Sequence, residues 1–495
     1  MENATIPLYI AEQTQELDQL TIATGVKGYA LMQRAGAAAF DYLLSQWPDV
    51  KSICIFCGTG NNGGDGYVIA KLAQVQGIYV QLIQLGSLEK QQGDALTARL
   101  DMEAENIQCQ VYAGQKIFEA DVMVDAIFGT GLEREVTGDW LAAIEAINAS
   151  QAPVLAVDIP SGLHADTGCI LGASVYAQVT MTFIGRKQGM YTADGKTCCG
   201  QIEFNDLEVA AEIYQQISPS SALLNQLPSS LLVTRNKNSH KGDFGHVLIV
   251  GGAPGMSGAI QLAAHAALRS GVGLVSVATH PQHAMYINNQ RPEIMSHGIE
   301  HSSDLTSLID RADVIVIGPG LGVDEWSQDL FSIVMTCKKL LVIDADGLNL
   351  LARNPQQQTH WVLTPHPGEA GRLLNKSTAE IQQDRFKAVM ELQKKYGGVC
   401  VLKGAGSLIC DGENTEVCNF GNPGMASAGM GDVLSGVLGS VIAQAKKQKT
   451  PLMELSSFAV CLHALAGDKA SRVEGEKGLL ASDLFPFLRR IINER

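Results

Sequence analysis

The chain has 495 residues, 46% of them hydrophobic and 18% charged, enough for more than one domain with a sizeable core. Its formal net charge is −15 and no basic stretch is longer than Lys-Lys, which argues against nucleic-acid or membrane-surface binding and leaves any phosphate ligand to local backbone donors. The N-terminus lacks a basic-then-apolar signal, no apolar run reaches the roughly 18 residues of a membrane span, and the 11 cysteines follow no disulfide pattern, so a reducing, cytoplasmic setting is expected.

Residues 14–46 read as helical, with an Ala-rich face. Strands then alternate with helices, the pattern of a parallel sheet covered on both sides. SICIFC (52–57), VQLIQL (80–85), VMVDAIF (122–128) and VLAVDI (154–159) are expected strands, and YVIAKLAQVQ (67–76) a helix. Cys54 and Cys57 form a CxxC, but within one strand they face opposite sides. In such sheets ligands gather at the carboxyl ends of the strands. The first strand is followed by GTGNNGGDG (58–66), whose start fits GxGxxG. A Rossmann domain also needs Asp or Glu about 20 residues later for a ribose hydroxyl. Here the next strand ends in Gln84, Leu85 and Gly86, which disfavours ordinary NAD-dependent hydride transfer. Asn61, Asn62 and Asp65 add polar groups to the glycine turn. Asp125 and Asp158 close later strands, and with Asn62 and Ser161 they compose an all-oxygen set suited to a hard cation. Asp158, Ser161 and His164 make a poor hydrolase triad, because GxSxG is absent and partners so close in one loop rarely align.

SPSSALLNQLPSS breaks the rhythm with turn formers, placing a boundary near Pro219–Asn225. From HVLIV (246–250) a second strand–helix series runs through LVSVAT, VIVIGPGLG, LLVIDADGLN, WVLTPHPGE and VCVLKGAGS, with Gly, Asp, His and Lys at the strand ends. His366, between prolines and beside Glu369, is a candidate ligand contact. Lys403 with Gly404 and Gly406 is no Walker loop, yet it offers a lysine and backbone donors to phosphate. In GNPGMASAGMGDVLSG a glycine loop reaches Gly431, and a helix follows from Val433 with an apolar stripe through Val437, Leu438, Val441 and Ile442. Asp432 stands at this anion-binding mouth, where it serves either chemistry, as a general base or near a metal, or merely as a helix cap.

NNGGDG, DAIFGTGL and DIPSGL, in this order, resemble the NAD(P)H-hydrate epimerase family over roughly residues 10–215. GPGLG, DADGLNLL, TPHPGE, VLKGAGS and GNPGMASAGMGDVLSG resemble the ADP- or ATP-dependent NAD(P)H-hydrate dehydratase family over residues 224–495. The resemblance implies an α/β chain, with a Rossmann-like doubly wound epimerase domain (1–216) followed by a ribokinase-like α/β dehydratase domain (224–495). It implies that Asn61, Asn62, Gly63, Gly64, Asp65, Gly129, Thr130, Gly131, Leu132, Glu133, Arg134, Glu135 and Asp158 hold the hydrated dinucleotide in the first domain. Asn62, Asp125 and Ser161 would bind K+, and Asp158 would take part in the proton movement, with Lys187 as a helper or a plain surface lysine. In the second domain Ala259, Gly322, His366 and Asp432 would face the substrate, while Lys403, Gly404, Ala405, Gly406, Ser407 and Gly431 would hold ADP with Mg2+. Asp432 would be the base there. The implied partners are NADHX, NADPHX and ADP in a homo-oligomer, without nucleic acid or membrane. Ala428 replaces a glycine usual in the family; were a positive φ needed there, alanine would cost about 1 kcal/mol. The alternative is a small-molecule kinase of the hydroxymethylpyrimidine type with a non-catalytic N-terminal binding domain, which leaves the first set of motifs unused.

Overall fold

The computed structural model describes residues 5–114, 119–228, 231, 235–446 and 448–494. Residues 7–221 form one compact unit, and a second gathers the chain from Ala222 onward together with its start through Ile6.

Near-continuous apolar runs suit strands buried on both faces. In the first unit these are β2 (Ser52–Cys57), β3 (Tyr79–Gln84), β4 (Cys109–Val111), β5 (Val122–Ala126), β6 (Val154–Val157), β7 (Val179–Phe183) and β8 (Gln201–Asn205). They pair in the order β4-β3-β2-β5-β6-β7-β8, parallel throughout. The order reverses between β2 and β5, which opens a crevice at their carboxyl ends. Cys54 and Cys57 enter different apolar clusters on the two sides of this sheet.

The second unit builds one sheet in the order β1-β9-β18-β17-β16-β15-β14-β13-β10-β11-β12. Its strands are β1 (Thr5–Leu8), β9 (Ser221–Leu224), β10 (His246–Val250), β11 (Leu274–Thr279), β12 (Met295–Gly298), β13 (Val314–Ile317), β14 (Leu340–Ile343), β15 (Trp361–Leu363), β16 (Val399–Leu402), β17 (Leu408–Cys410) and β18 (Thr415–Cys418). β17 runs antiparallel to both neighbours, whereas β10 through β16 pair in parallel. The stretch expected to be all turn at the junction contains β9, which pairs in parallel with β18. The sheet edge supplies ladder partners that local propensity does not reveal.

Other boundaries also moved. The helix expected over 14–46 is two, Ala11–Ala23 and Gly28–Gln46. The helix expected from Tyr67 begins at Asn61, so the glycine turn is its opening. Poor helix formers are accepted there because the turn lies against β2's exit, where a side chain at Gly63 would come within 2.1 Å of Gly58 O. The later helix begins at Met430 rather than Val433 and runs to Gln444. It is buried almost all round between Met430 and Ala443, not along one stripe.

Candidate active sites

In the first unit, the helix Asn61–Val75 and the exits of β5 and β6 converge. A side chain at Gly129 would lie 3.3 Å from Asp158 Oδ2 and 3.5 Å from Asn62 Cβ, so these three positions share one pocket wall. Asp158 has left-handed backbone, φ +68°, and its N–H donates to Met181 O at 2.7 Å. Such a conformation costs roughly 1 kcal/mol outside glycine, and it aims the carboxylate away from its strand. Lys187, fully buried, bonds Asp158 Oδ1 and donates to Thr182 Oγ1 at 2.9 Å and Phe183 O at 3.2 Å. The surface-lysine alternative for Lys187 therefore fails. Burial, followed by repulsion from Asp158 and Asp18, pushes the Asp65 carboxyl well above the ordinary range, with Lys187 opposing.

Asp125 and Ser161 are completely buried. Asp125 accepts from Ser161 N at 2.7 Å, Ser161 Oγ at 2.6 Å and Ile127 N at 3.2 Å. Burial nevertheless lifts its pKa to about 6 against those bonds. Asn62 is buried with neither side-chain polar atom hydrogen-bonded. Asn62 thus keeps an unpartnered amide oxygen, and Asp125 with Ser161 adds buried oxygens, one on a carboxylate that burial makes costly to ionise; the chemistry of this donor set fits an oxygen-liganded monovalent cation such as K+. Of the loop after β5, Gly129 and Thr130 are partly buried and Leu132 turns into the apolar cluster containing Met123. Gly131, Glu133, Arg134 and Glu135 are exposed, with Glu133 Oε2 at 3.9 Å from His164 Nε2.

In the second unit, Asp344, Glu369, Gly431 and Asp432 gather about Lys403. Its Nζ lies 2.7 Å from Asp344 Oδ1 and 3.9 Å from Glu369 Oε2. Burial alone would lower its pKa, but Asp344, Glu369 and Asp432 together raise it. A side chain at Gly431 would come 3.2 Å from Lys403 Nζ and 3.6 Å from Asp344 Oδ2, placing the helix mouth over this pair. Asp344 Oδ2 also accepts from Ser435 Oγ at 2.8 Å. Asp432 stands in the first turn behind Gly429, and the N-cap position makes no side-chain bond. Burial first, then Asp344, Asp346 and Glu369, lift its pKa to about 7, with Lys403 opposing. Ala428 has no positive φ; Gly429 carries it at +88°, so the alanine is unstrained.

His366 caps the helix Pro367–Leu374, its Nδ1 accepting from Gly368 N at 3.0 Å while Glu369 Oε2 accepts from His366 N at 2.8 Å. That bond leaves the ring proton on Nε2, and burial, Lys403 and Arg372 keep its pKa low, so the imidazole is neutral. Ala259 lies in the first turn of the helix Ser257–Arg269, where a side chain at Gly320 would meet its Cβ at 3.2 Å. Gly322 N donates to Asp346 Oδ2 at 2.9 Å. Gly404 and Ala405 are exposed, Gly406 is buried, and Ser407 Oγ accepts from Gly404 N at 3.3 Å. Beneath this loop Arg385, only 1% exposed, donates to Leu402 O at 3.2 Å and to Lys403 O and Gly406 O at 3.4 Å. Arg385 thus anchors the loop by two of its carbonyls, Lys403 O and Gly406 O. Sequence reasoning missed Arg385, since nothing in QQDRF distinguishes a buried arginine from a surface one. No group of three or more His, Cys, Asp or Glu among the described residues is placed to cage a metal.

Residues 247–490 match the family described as NAD(P)H-hydrate dehydratase, and residues 28–189 match the family described as YjeF-related protein N-terminus. A Coxiella burnetii protein named bifunctional NAD(P)H-hydrate repair enzyme is 44% identical over 488 residues, covering 98% of this chain and 99% of that one. An Escherichia coli protein of the same name is 41% identical over 473 residues, covering 95% of this chain and 90% of that one. The crystal structure of a hypothetical protein from Streptococcus mutans aligns with a TM-score of 0.50 and 32% identity, covering 53% of this chain and 95% of that one.

Proposed function

The chain belongs to the family of bifunctional NAD(P)H-hydrate repair enzymes, and on that premise we propose how its two units divide the chemistry. The unit of residues 7–221 interconverts the R and S hydrates of NADH and NADPH. The unit from Ala222 onward dehydrates the S form at the expense of ADP, giving NAD(P)H, AMP and phosphate.

In the first unit Asp158 and Lys187 form the proton-handling pair. The buried ammonium holds the carboxylate in its strained position, and the carboxylate takes and returns the proton whose movement lets the ring hydroxyl change face. Asn62 Oδ1, Asp125 and Ser161 would hold K+, which would fix the charge of the pocket wall beside the dinucleotide phosphates.

In the second unit Asp432 accepts the proton of the ring hydroxyl as its oxygen attacks the β-phosphorus of ADP. The P–O bond to AMP breaks, and phosphate then leaves with the ring C–O electron pair as the adjacent carbon loses its proton. Lys403 and the N–H groups of the loop through Ser407 balance charge on the transferring group, the dominant need in phosphoryl transfer. Mg2+ would enter on the nucleotide phosphates, as it commonly does when a protein offers few ligands. The observation that carries this reading is the place of Asp432, a first-turn carboxyl behind the N-cap Gly429 and among Lys403 and Asp344; burial lifts it to about 7, where a base can both take a proton and hold it briefly.

A cytoplasmic setting suits the 11 free cysteines, and no described helix is long and apolar enough to cross a membrane. The reading includes a homo-oligomer. An R/S mixture of hydrated NADH tests the scheme through recovery of reduced-nicotinamide absorbance, with ADP and ATP compared. Full recovery with ADP is expected. Recovery of the S fraction alone would remove the epimerase, and no recovery would remove the dehydratase.

A further inference from the structure

The first unit presents a GxGxxG-like loop without the acid that usually grips the adenosine ribose. At the corresponding strand end stands Gln84, fully buried and already committed. Its Nε2 donates to Leu85 O at 2.8 Å and Gly58 O at 3.3 Å, and its Oε1 accepts from the Tyr67 hydroxyl. It braces the loop from below and has nothing left to offer a ligand above.

Above it lies an aromatic wall. A side chain at Gly86, just beyond β3, would meet Thr59 Cγ2 at 3.0 Å and Trp140 Cζ2 at 3.1 Å. Trp140, in the opening turn of the helix Asp139–Ala149, stands against Phe128 with ring centroids 4.8 Å apart and planes tilted by 33°. Both rings are only partly buried. Neither the Trp140 indole N–H nor the Thr59 hydroxyl makes a hydrogen bond among the described residues. Phe128 immediately precedes Gly129, and its N–H donates to Ser161 Oγ at 2.8 Å, so the wall is tied to the pocket that holds Asp158.

The wall runs from Phe128 just past β5, by Thr59 past β2, to Trp140 against Gly86 past β3. From the exit of β6, where Asp158 lies, to that far end at β3 are three strand intervals across β5 and β2. At the usual strand spacing that is about 14 Å, a fitting reach for the two halves of an extended dinucleotide. With the hydrated ring at Asp158, the purine end reaches Trp140. We propose that Trp140, supported by Phe128, is the stacking shelf for the adenine half of the hydrated dinucleotide, with its indole N–H and the Thr59 hydroxyl free for the adjoining ribose or phosphate. This assignment rests on the epimerase reading and adds a recognition residue that touches no reacting atom.

The test compares Trp140→Ala, Trp140→Phe and the parent chain on two substrates, hydrated NADH and hydrated reduced nicotinamide mononucleotide, which lacks the adenylate. In the alanine variant the ratio of kcat/KM for dinucleotide over mononucleotide should fall roughly 5- to 100-fold, the range of one base–aromatic stack, mostly through KM. Trp140→Phe should recover most of it. ADP-ribose, as a competitive inhibitor of epimerisation, should lose potency by a similar factor in Trp140→Ala. An unchanged ratio and unchanged inhibition would overturn the shelf, as would equal loss on both substrates. A parent chain inactive on both substrates would mean that the epimerase reading had failed first, and the shelf would fall with it.

Discussion

Asp432→Asn is the most informative single change. Asparagine keeps the shape and caps helices about as well as aspartate, so a capping role predicts little effect. Loss of a general base predicts a fall of about 10²–10⁴ in the rate of the chemical step. Burial among acidic neighbours lifts this carboxyl from 3.8 to about 7. That rise corresponds to at most about 4 kcal/mol of ionisation cost, and partial solvent access leaves an expected 1–2 kcal/mol to be felt. The sign follows from proton binding: between pH 3.8 and about 7 the folded state holds the proton that the unfolded state has released. Stability therefore falls as pH rises through this window and levels off above it. At pH 8 the asparagine variant should be the more stable protein by about that 1–2 kcal/mol, and should bind ADP as well or slightly better. Parent turnover should climb with pH to a plateau, its midpoint above the resting value of about 7 because bound phosphate raises this carboxyl further. Single-turnover dehydration of the S hydrate, measured from pH 5 to 9 beside ADP affinity and Tm, checks every element. Near-parent turnover in the variant, or a flat pH profile in the parent, would refute the base assignment.

In the first unit, Asp158→Asn and Lys187→Met should each abolish R-to-S conversion through kcat, with ADP-dependent dehydration of the S form kept as an internal control; equal loss of both activities would count against the assignment. Exchanging K+ for tetramethylammonium should suppress epimerisation alone, and Asp125→Asn should remove that dependence together with most of the activity; cation-independent epimerisation would dismiss the Asn62–Asp125–Ser161 site. Mild proteolysis should cut first between about residues 225 and 243, and the fragments should remain together under native conditions because β9 stays paired with β18; separate elution would show that this pairing is weak.

The strand ends carrying Asp125, Asp158, Asp344 and Lys403 were legible because parallel strands buried on both faces must be apolar runs, so a polar residue ending such a run stands out. The same logic, extended to VTMTF before GRKQG, exposes β7 and places Lys187 just past a strand exit, although its two threonines interrupt the apolar run that marks the other strands. β1 and β9 are four residues each and exist through edge pairing, which no local pattern encodes. The openings of the Asn61 and Met430 helices were hidden by glycines that propensity counts as breakers, although close approach to Gly58 O and the φ of Gly429 are what call for them. That Gln84 stands where a ribose-binding acid would be is plain from the sequence alone, whereas its bracing role needs the fold.

The electrostatics of the second site explain why an acidic pocket can serve a polyanion. Asp344, Asp346 and Glu369 all bear on Asp432 with like charge, Lys403 opposes them, and Lys403 is already bonded to Asp344. A nucleotide approaching with bare phosphates would meet net repulsion, on a chain whose overall charge of −15 offers no attraction from afar. Binding therefore depends on charge that the ligand carries with it and on backbone donors that cost nothing to ionise. Arg385 holds the loop in place for that task by engaging its carbonyls. Once phosphate charge has arrived beside Asp432, the carboxylate gains a stronger hold on a proton, just when the ring hydroxyl must lose one. The crowding that makes Asp432 expensive to ionise in the resting protein is thus also what makes it a competent base.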